Sequence, residues 1–245
     1  MQFHRLLRRA LILPLAIAAL AGCGSSAPVS SSQQAGSGDW VATWHSAVRD
    51  NASSTNNVTY RLLIHNAIGG DTLRLRFSNR YGREPLKLSK VSIALPSTPL
   101  KLAAVDAATV TPVTFGGSTE AIIPAGQELR SDPVRFALPG DSDIAVTFYV
   151  PESVSNVTAK GNSLTTSWTN GPGGGDATGD LVGLSMLMPE VAWPFLTGLE
   201  VVAPGASTVV ALGDSITDGA FEIPNFDTRW PDLLNDRIKA SDFAG

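Results

Sequence analysis

The stretch "VTYRLLIHNAIGGDTLRLRFSN", Val58 to Asn79, decides the fold class because its apolar residues recur at every second position. A period of two is that of a β-strand with one buried face. We therefore expect two half-buried strands here, separated by a short glycine-containing link. The apolar set comprises Val58, Tyr60, Leu62, Ile64, Leu73, Leu75 and Phe77.

The link between these two strands contains Gly69 and Gly70. Glycine readily adopts the positive φ angles that a two-residue primed turn requires. The sequence therefore predicts a β-hairpin, in which His65 lies on the solvated face opposite Arg74.

The same alternation continues downstream. In "PLKLSKVSIAL", residues 85–95, the apolar parity changes between Leu88 and Val91, which predicts a β-bulge. Further strands are predicted in "PVRFAL", residues 133–138, and "DIAVTFYV", residues 143–150. Many short strands without a helical period between them predict a mainly β fold, an antiparallel β-sandwich over residues 39–204.

Two loops of this sandwich carry residues that suggest chemistry. The link "PGDSD", residues 139–143, contains a first Gly-Asp-Ser, and its position between two alternating strands makes Ser142 a turn residue. The glycine-rich "NGPGGGDATGD", residues 170–180, lacks the spacing of a nucleotide-binding fingerprint. We expect a mobile surface loop there.

The N-terminal segment is typical of export. Residues 1–22 combine arginines with an apolar run over residues 10–22, which is shorter than the roughly 20 residues that span a bilayer. "LAGC" ends this run and resembles the lipobox of bacterial lipoproteins, which implies lipid attachment at Cys23. Residues 23–38 are rich in Gly and Ser and predict a flexible linker. We expect a membrane-anchored lipoprotein of the cell envelope, on the periplasmic or extracellular face.

Composition excludes several classes of site. The chain has one cysteine, so it forms no internal disulfide framework and offers few thiolates for zinc. Its formal net charge of −4 argues against a nucleic-acid partner, which would need a basic surface. We expect no metal and no cofactor.

The pattern changes after residue 204. "STVVAL", residues 207–212, is a continuous apolar run typical of a strand buried on both faces of a parallel sheet. It is followed by Gly213-Asp214-Ser215 and then by "RWPDLLNDRIKA", residues 229–240, where Pro231 favours a helix start. Residues 205–245 therefore predict the first strand and helix of an incomplete α/β domain.

These residues carry a specific resemblance. "VVALGDSITDG" followed by "RWPDLL" resembles the first block of the GDSL, or SGNH, hydrolases, and "RLRFSNRYG", "IPAG" and "SDPV" resemble the sandwich that precedes it in some bacterial members. The resemblance implies a flavodoxin-like hydrolase domain and a serine ester hydrolase that forms an acyl-enzyme. Ser215 would be the nucleophile and its backbone N–H an oxyanion donor, in a motif with Gly213 and Asp214. Asp214 is expected to brace the turn.

The same family uses a glycine, an asparagine and an Asp-x-x-His block that come later in the chain than this first helix. We therefore expect residues 1–245 to be an N-terminal fragment, inactive alone and exposed after about Ser207. His45 and His65 are the remaining histidines of the body, and neither is expected to serve as the base.

Substrate and role stay open at this level. A small ester is the expected partner, with a sugar acetyl ester, a short acyl ester or a lipid as candidates, and transfer to an alcohol in place of water is also compatible. The alternative function is a non-catalytic, surface or carbohydrate-binding β-sandwich lipoprotein. In that case the stacking platform would draw on Trp40, Trp44, Trp168 and Trp193.

Overall fold

The structure is a computed structural model, and it describes residues 39–241. The predicted signal segment, the predicted lipid-attachment residue Cys23 and the predicted linker 23–38 lie outside the described residues. Those three features therefore stay predictions.

Within the described residues the chain forms strands β1 to β17 and one α-helix, α1. Their bounds are β1 Trp40–His45, β2 Arg49–Asp50, β3 Ser54–Thr55, β4 Val58–Asn66, β5 Gly70–Ser78, β6 Leu86–Ala94, β7 Thr111–Pro112, β8 Glu120–Ile123, β9 Glu128–Arg130, β10 Val134–Leu138, β11 Ser142–Val150, β12 Val154–Ser155, β13 Thr158–Lys160, β14 Ser167–Thr169, β15 Met188–Glu190, β16 Trp193–Pro194, β17 Leu196–Val202 and α1 Trp230–Lys239.

Two antiparallel sheets dominate the fold. The first has the order β1-β17-β5-β10, with β9 also paired to β5. The second has the order β15-β14-β4-β11-β6-β7, with β8 also paired to β6. Two further small sheets have the orders β12-β3 and β16-β13-β2. The predicted mainly β, sandwich-like fold is confirmed.

Aromatic rings join the two large sheets across one core. Phe77 of the first sheet meets Phe148 of the second edge to face, with ring centroids 5.3 Å apart. Tyr60 packs against Phe148 at 5.5 Å, and Phe115 packs against Phe77 at 6.0 Å. All four side chains are buried. The alternating apolar residues of the sequence therefore face each other across the interior.

The predicted hairpin between β4 and β5 is wrong. The two strands belong to different sheets, so residues 67–69 carry the chain across the core. The backbone of Ile68 in this crossing is hydrogen-bonded to the side chain of Thr43. Thr43 Oγ1 accepts from the Ile68 N–H at 2.7 Å and donates to the Ile68 carbonyl at 2.7 Å. A Cβ at Gly69 would lie 2.4 Å from the carbonyl oxygen of Leu138, so this glycine permits close packing of two connections.

Those two connections lie side by side. The link from β10 to β11 also passes between the sheets, and Asn66 Nδ2 donates to the carbonyl of Pro139 at 2.9 Å. Ser142 Oγ donates to the same carbonyl at 2.8 Å. Ser142 thus closes a turn, as its sequence context predicts.

The predicted bulge in β6 is confirmed. Ser89 pairs with Tyr149 and Ser92 pairs with Thr147, so β6 has one residue more than its partner between these two pairs. Lys90 takes up the extra residue with a φ of 49°.

Loops cover the outer face of the second sheet. A smaller apolar cluster of Leu63, Ala94, Val105 and Ala145 lies beneath them. As a result Arg61, which the alternation placed on the polar face, is fully buried. Its Nε donates to Thr147 Oγ1 at 2.9 Å and its Nη1 to the Ala103 carbonyl at 2.5 Å.

The glycine-rich segment 170–180 is a surface loop, as expected, but backbone hydrogen bonds hold it in place. Gly173 N donates to the Asn56 carbonyl at 2.9 Å, and Gly175 N donates to the Asn57 carbonyl at 2.8 Å. The Asn170 side chain also accepts from Thr59 N at 2.8 Å.

The predicted strand at residues 207–212 does not form. The segment has no strand partner within the described residues, and Val210 and Leu212 are 83% and 96% exposed. A strand of this composition needs neighbours on both sides and cover on both faces. The segment is thus exposed, as expected.

The predicted helix is present as α1, and Asp232 accepts from the backbone N–H of Arg229 at 3.1 Å at its start. None of its residues is buried: Trp230 and Ile238 of the apolar face are 44% and 39% exposed, and Leu234 is half-buried. Among residues 39–241, no helix has the length and apolar character to cross a membrane.

Replacement of the inter-sheet ring tests this core. We expect Phe77→Ala to lower the free energy of unfolding by about 3 to 5 kcal/mol, because it leaves a cavity between Phe115 and Phe148. Ile122→Ala is the control, since Ile122 is 66% exposed on β8 and its loss should change stability little. Urea unfolding followed by tryptophan fluorescence measures both, and equal effects would contradict the core assignment.

Candidate functional site

The Gly-Asp-Ser of residues 213–215 begins a series of tight turns. Asp214 Oδ1 accepts from the N–H of Ile216 at 3.0 Å, which closes a turn around Ser215. The Asp214 carbonyl accepts from Asp218 N at 3.0 Å, and the Ser215 carbonyl accepts from Ala220 N at 2.7 Å. Asp214 therefore braces the backbone of the turn.

Gly213 allows this turn to close on itself. A Cβ at Gly213 would lie 2.1 Å from Thr217 Oγ1 and 2.7 Å from Thr217 Cβ. Trp230 at the start of α1 donates from Nε1 to the same Thr217 Oγ1 at 3.2 Å. Thr217 thus occupies the space beside Gly213 and connects the turn to the helix.

Ser215 itself is exposed at this turn. Within residues 39–241, neither its Oγ nor its backbone N–H makes a hydrogen bond. The hydroxyl has no histidine or carboxylate hydrogen-bonded to it in the same part of the chain.

Polar contacts fix the segment after Ser215 to the sandwich. Asp218 pairs with Lys160 of β13. Asn225 donates from Nδ2 to Thr166 Oγ1 at 2.9 Å, and its Oδ1 accepts from Thr166 N at 2.7 Å. The Asn225 N–H also donates to the carbonyl of Leu164 at 2.8 Å. The loop that follows the serine turn therefore lies along residues 160–166.

His65 belongs to a cluster of charged groups. Because β4 pairs with β11, His65 lies opposite Asp143, not opposite Arg74 as the predicted hairpin required. Its Nδ1 lies 3.1 Å from Asp143 Oδ1, and its Nε2 lies 3.1 Å from Asp141 Oδ1. Both ring nitrogens are engaged, so His65 is not placed to act as a base for Ser215.

A lysine fills the centre of this cluster. Lys101 Nζ lies 2.5 Å from Asp143 Oδ1 and 3.3 Å from Asp227 Oδ2. His65, Asp143 and Asp227 could between them offer three metal ligands. However, the ammonium of Lys101 already occupies the position that a cation would take between the two carboxylates. The arrangement is an ion-pair network between the sandwich and the segment after Ser215.

The pKa values of the network follow from these contacts. The hydrogen bond to Asp143 raises the pKa of His65; burial opposes it, and Asp141 and Asp227 add to the rise. Burial alone would raise the pKa of Asp143, but hydrogen bonds from His65 and Lys101 outweigh burial and lower it.

His45 has no hydrogen-bonded carboxylate within residues 39–241, although the charges of Glu128 and Glu200 act on its pKa. It is on β1 opposite Gly198, and partial desolvation together with the nearby Arg76 lowers its pKa. No hydrogen bond of the described residues joins His45 to Ser215. Neither histidine is thus placed as a base, as the sequence led us to expect.

The four tryptophans do not form a shared stacking surface. Trp44 and Trp193 are buried and pack edge to face with centroids 4.9 Å apart. Trp168 donates from Nε1 to the Lys101 carbonyl at 2.8 Å. The guanidinium of Arg74 lies 4.2 Å from the ring centroid of Trp40. Each ring is thus engaged by other parts of the protein.

Sequence reasoning missed the network around His65. Asp143 and Asp227 are far from His65 in the chain, and only the register of β4 on β11 and the path of the 224–229 loop bring them together. The alternation of the two strands contains a partial signal, because it places His65 and Asp143 on outward-facing positions.

The chain was compared with known proteins. No family model matches it, and no curated protein does so. The resemblance of the Ser215 segment to GDSL hydrolases therefore rests on the motif residues alone.

The two histidines offer a direct test of the network. In a proton NMR titration we expect the midpoint of His65 to lie above 6.5 and that of His45 to lie below it, for the reasons given above. Asp143→Asn should lower the His65 midpoint, because a neutral amide no longer favours the imidazolium. Asp71→Asn, at an exposed acid of β5, should leave it unchanged, and an equal response to both variants would contradict the pairing.

The raised pKa of His65 should also make the free energy of unfolding depend on pH. The folded pKa of His65 is raised, so its stabilising contribution is complete below the ordinary histidine pKa of 6.5 and is lost as the pH rises through the raised value. We expect His65→Gln to reduce the loss of stability between pH 6 and pH 9, measured by urea unfolding. An unchanged pH dependence would exclude this linkage.

Proposed function

We propose that the protein is a serine ester hydrolase that acts through Ser215. The observation that carries this proposal is the serine turn: Ser215 is exposed, its N–H is unengaged within residues 39–241, and Asp214 braces the backbone around it. The close fit of Thr217 against Gly213 adds support, since it explains why glycine precedes the aspartate. The resemblance to the first block of the GDSL hydrolases supplies the reaction class.

In the proposed reaction Ser215 Oγ forms a bond to the ester carbonyl carbon. Its proton passes to a general base, and the carbonyl oxygen becomes an oxyanion held partly by the Ser215 N–H. When the carbon–oxygen bond to the alcohol breaks, the base returns the proton to the leaving alcohol. Water then hydrolyses the acyl-enzyme in a second step that releases the acid and free Ser215.

The base and the further oxyanion donors are proposed to come from groups outside residues 39–241. A serine hydroxyl is a weak nucleophile until a base removes its proton. His65 is engaged by Asp141 and Asp143, and His45 has no hydrogen bond to Ser215, so the proposed base is a group outside residues 39–241. No cofactor is needed for this chemistry.

The substrate class and the cellular setting are also proposals. A short acyl ester or a sugar acetyl ester fits a serine on an exposed turn, which leaves room for a bulky alcohol part. A lipid on Cys23 and the Gly- and Ser-rich residues 23–38 would hold the catalytic body close to a membrane of the cell envelope.

The two Gly-Asp-Ser serines provide a matched test. We expect the product of the complete reading frame to hydrolyse p-nitrophenyl acetate, and Ser215→Ala to reduce kcat/KM by about 10³-fold or more. Ser142→Ala should keep the activity, because Ser142 Oγ only closes a turn on the Pro139 carbonyl. Loss of activity in Ser142→Ala alone, or no activity in the unaltered protein, would overturn the proposal.

The 245-residue chain gives a second test. Since no histidine or carboxylate of residues 39–241 is hydrogen-bonded to Ser215 Oγ, we expect this chain by itself to hydrolyse the ester no faster than its Ser215→Ala variant. A rate well above that of the variant would show that a base is present after all.

A further inference from the structure

A cavity of about 300 Å³ opens at one edge of the sandwich, away from the serine turn. Its walls come from residues and connections of β3, β4, β13, β14, β15 and β16. Ligand sites in proteins begin at about this volume. At about 30 Å³ per liquid water molecule, the space is comparable to roughly ten non-hydrogen atoms, which is the size of a single pyranose sugar.

One carboxyl group of the cavity wall lacks a cationic partner. Glu190 accepts from the backbone N–H of Ala192 at 2.9 Å, and no lysine, arginine or histidine lines the described cavity. Burial raises the pKa of Glu190, with partial relief from the N–H groups of Ala192 and Val191. Hydrogen-bond donors on a ligand would stabilise this carboxylate.

Hydroxyl groups, together with the amide of Asn51, form the remaining polar wall. Tyr60 Oη and Thr55 Oγ1 are hydrogen-bonded to each other at 2.8 Å, and both residues are buried. Burial raises the pKa of Tyr60 to about 12, and the negative charge of Glu190 contributes to the rise. The phenol is thus a neutral group near the carboxylate. Ser53 and Ser54, both exposed, add two more hydroxyls at the rim.

The polar groups of the wall favour a neutral ligand that carries hydroxyl groups. An anionic ligand would face Glu190 without any cation in the described wall to offset the repulsion. A ligand that carries several hydroxyls can donate to Glu190 and accept from Tyr60 or Thr55 at the same time. The prolines 172, 189 and 194 and Ala192 give apolar surface for the C–H faces of such a ring.

We propose that this cavity, between Glu190 and the Tyr60–Thr55 pair, binds a neutral polyhydroxylated ligand the size of one pyranose unit of a glycan. The site is independent of Ser215, because neither the serine turn nor α1 lines it. Such a site would hold the protein on a glycan surface whether or not Ser215 is catalytic.

Backbone amide NMR of the 245-residue chain tests the proposal with a panel of methyl glycosides of the common pentoses and hexoses. At least one glycoside should shift the amides of Ser53, Ser54 and Ala192, with a Kd in the millimolar range. Glu190→Gln and, separately, Tyr60→Phe should weaken that binding about tenfold or more, because the first replaces a charged acceptor with a neutral amide and the second removes a hydroxyl. Glu152→Gln, at an exposed glutamate outside the cavity, is the matched control and should not change the Kd.

Three results would overturn the proposal. They are no shift at these amides with any glycoside, an unchanged Kd in both cavity variants, and a response to tetramethylammonium in place of the glycosides. The amide signals of the sandwich core report that each variant is folded, and Tyr60→Phe retains the ring that packs on Phe148. Ser215→Ala should bind the glycoside as the unaltered chain does, so failure of the hydrolase proposal and failure of this one are distinguishable.

Discussion

The contact between Phe77 and Phe148 is the interaction on which the rest of this structure depends. It joins two sheets whose strands each have one apolar face, and neither face can be buried without the other. Because the core is closed in this way, the connections from β4 to β5 and from β10 to β11 pass from one sheet to the other. Those connections place Asn66 beside Pro139, and the pairing of β4 with β11 places His65 beside Asp143. The charged network that holds the segment after Ser215 follows from that arrangement.

The existence and faces of most long strands were predictable from the sequence, because side-chain alternation is a local property. The bulge at Lys90 was predictable for the same reason, since an inserted residue changes the parity within one strand. Pairing was not predictable in this way. The residues around Gly69 fit a hairpin and a crossing equally well, and the choice depends on the distant Thr43 and Leu138. Burial of Arg61 likewise depends on loops that the period of its own strand does not reveal.

In the candidate site, too, local features were predictable from the sequence and features that depend on distant residues were not. Asp214 was expected to brace its turn and does so through Ile216, because an aspartate in a Gly-Asp-Ser turn bonds to the backbone two residues later. The valine-rich composition of residues 207–212 predicts a buried strand. Such a strand forms only where neighbouring strands pair with it and both of its faces are covered, which composition does not reveal. The cavity beside Glu190 could not be predicted from the sequence, since its wall combines residues from six strands and their connections.

The central claim is that Ser215 is the nucleophile of an ester hydrolase. The most direct measurement is reaction of the complete reading-frame product with a fluorophosphonate probe, followed by mass spectrometry of the proteolytic peptides. We expect one adduct, on the peptide that contains Ser215, and no adduct on the peptide that contains Ser142. Absence of any adduct, or an adduct at another serine with Ser215 unmodified, would contradict the claim.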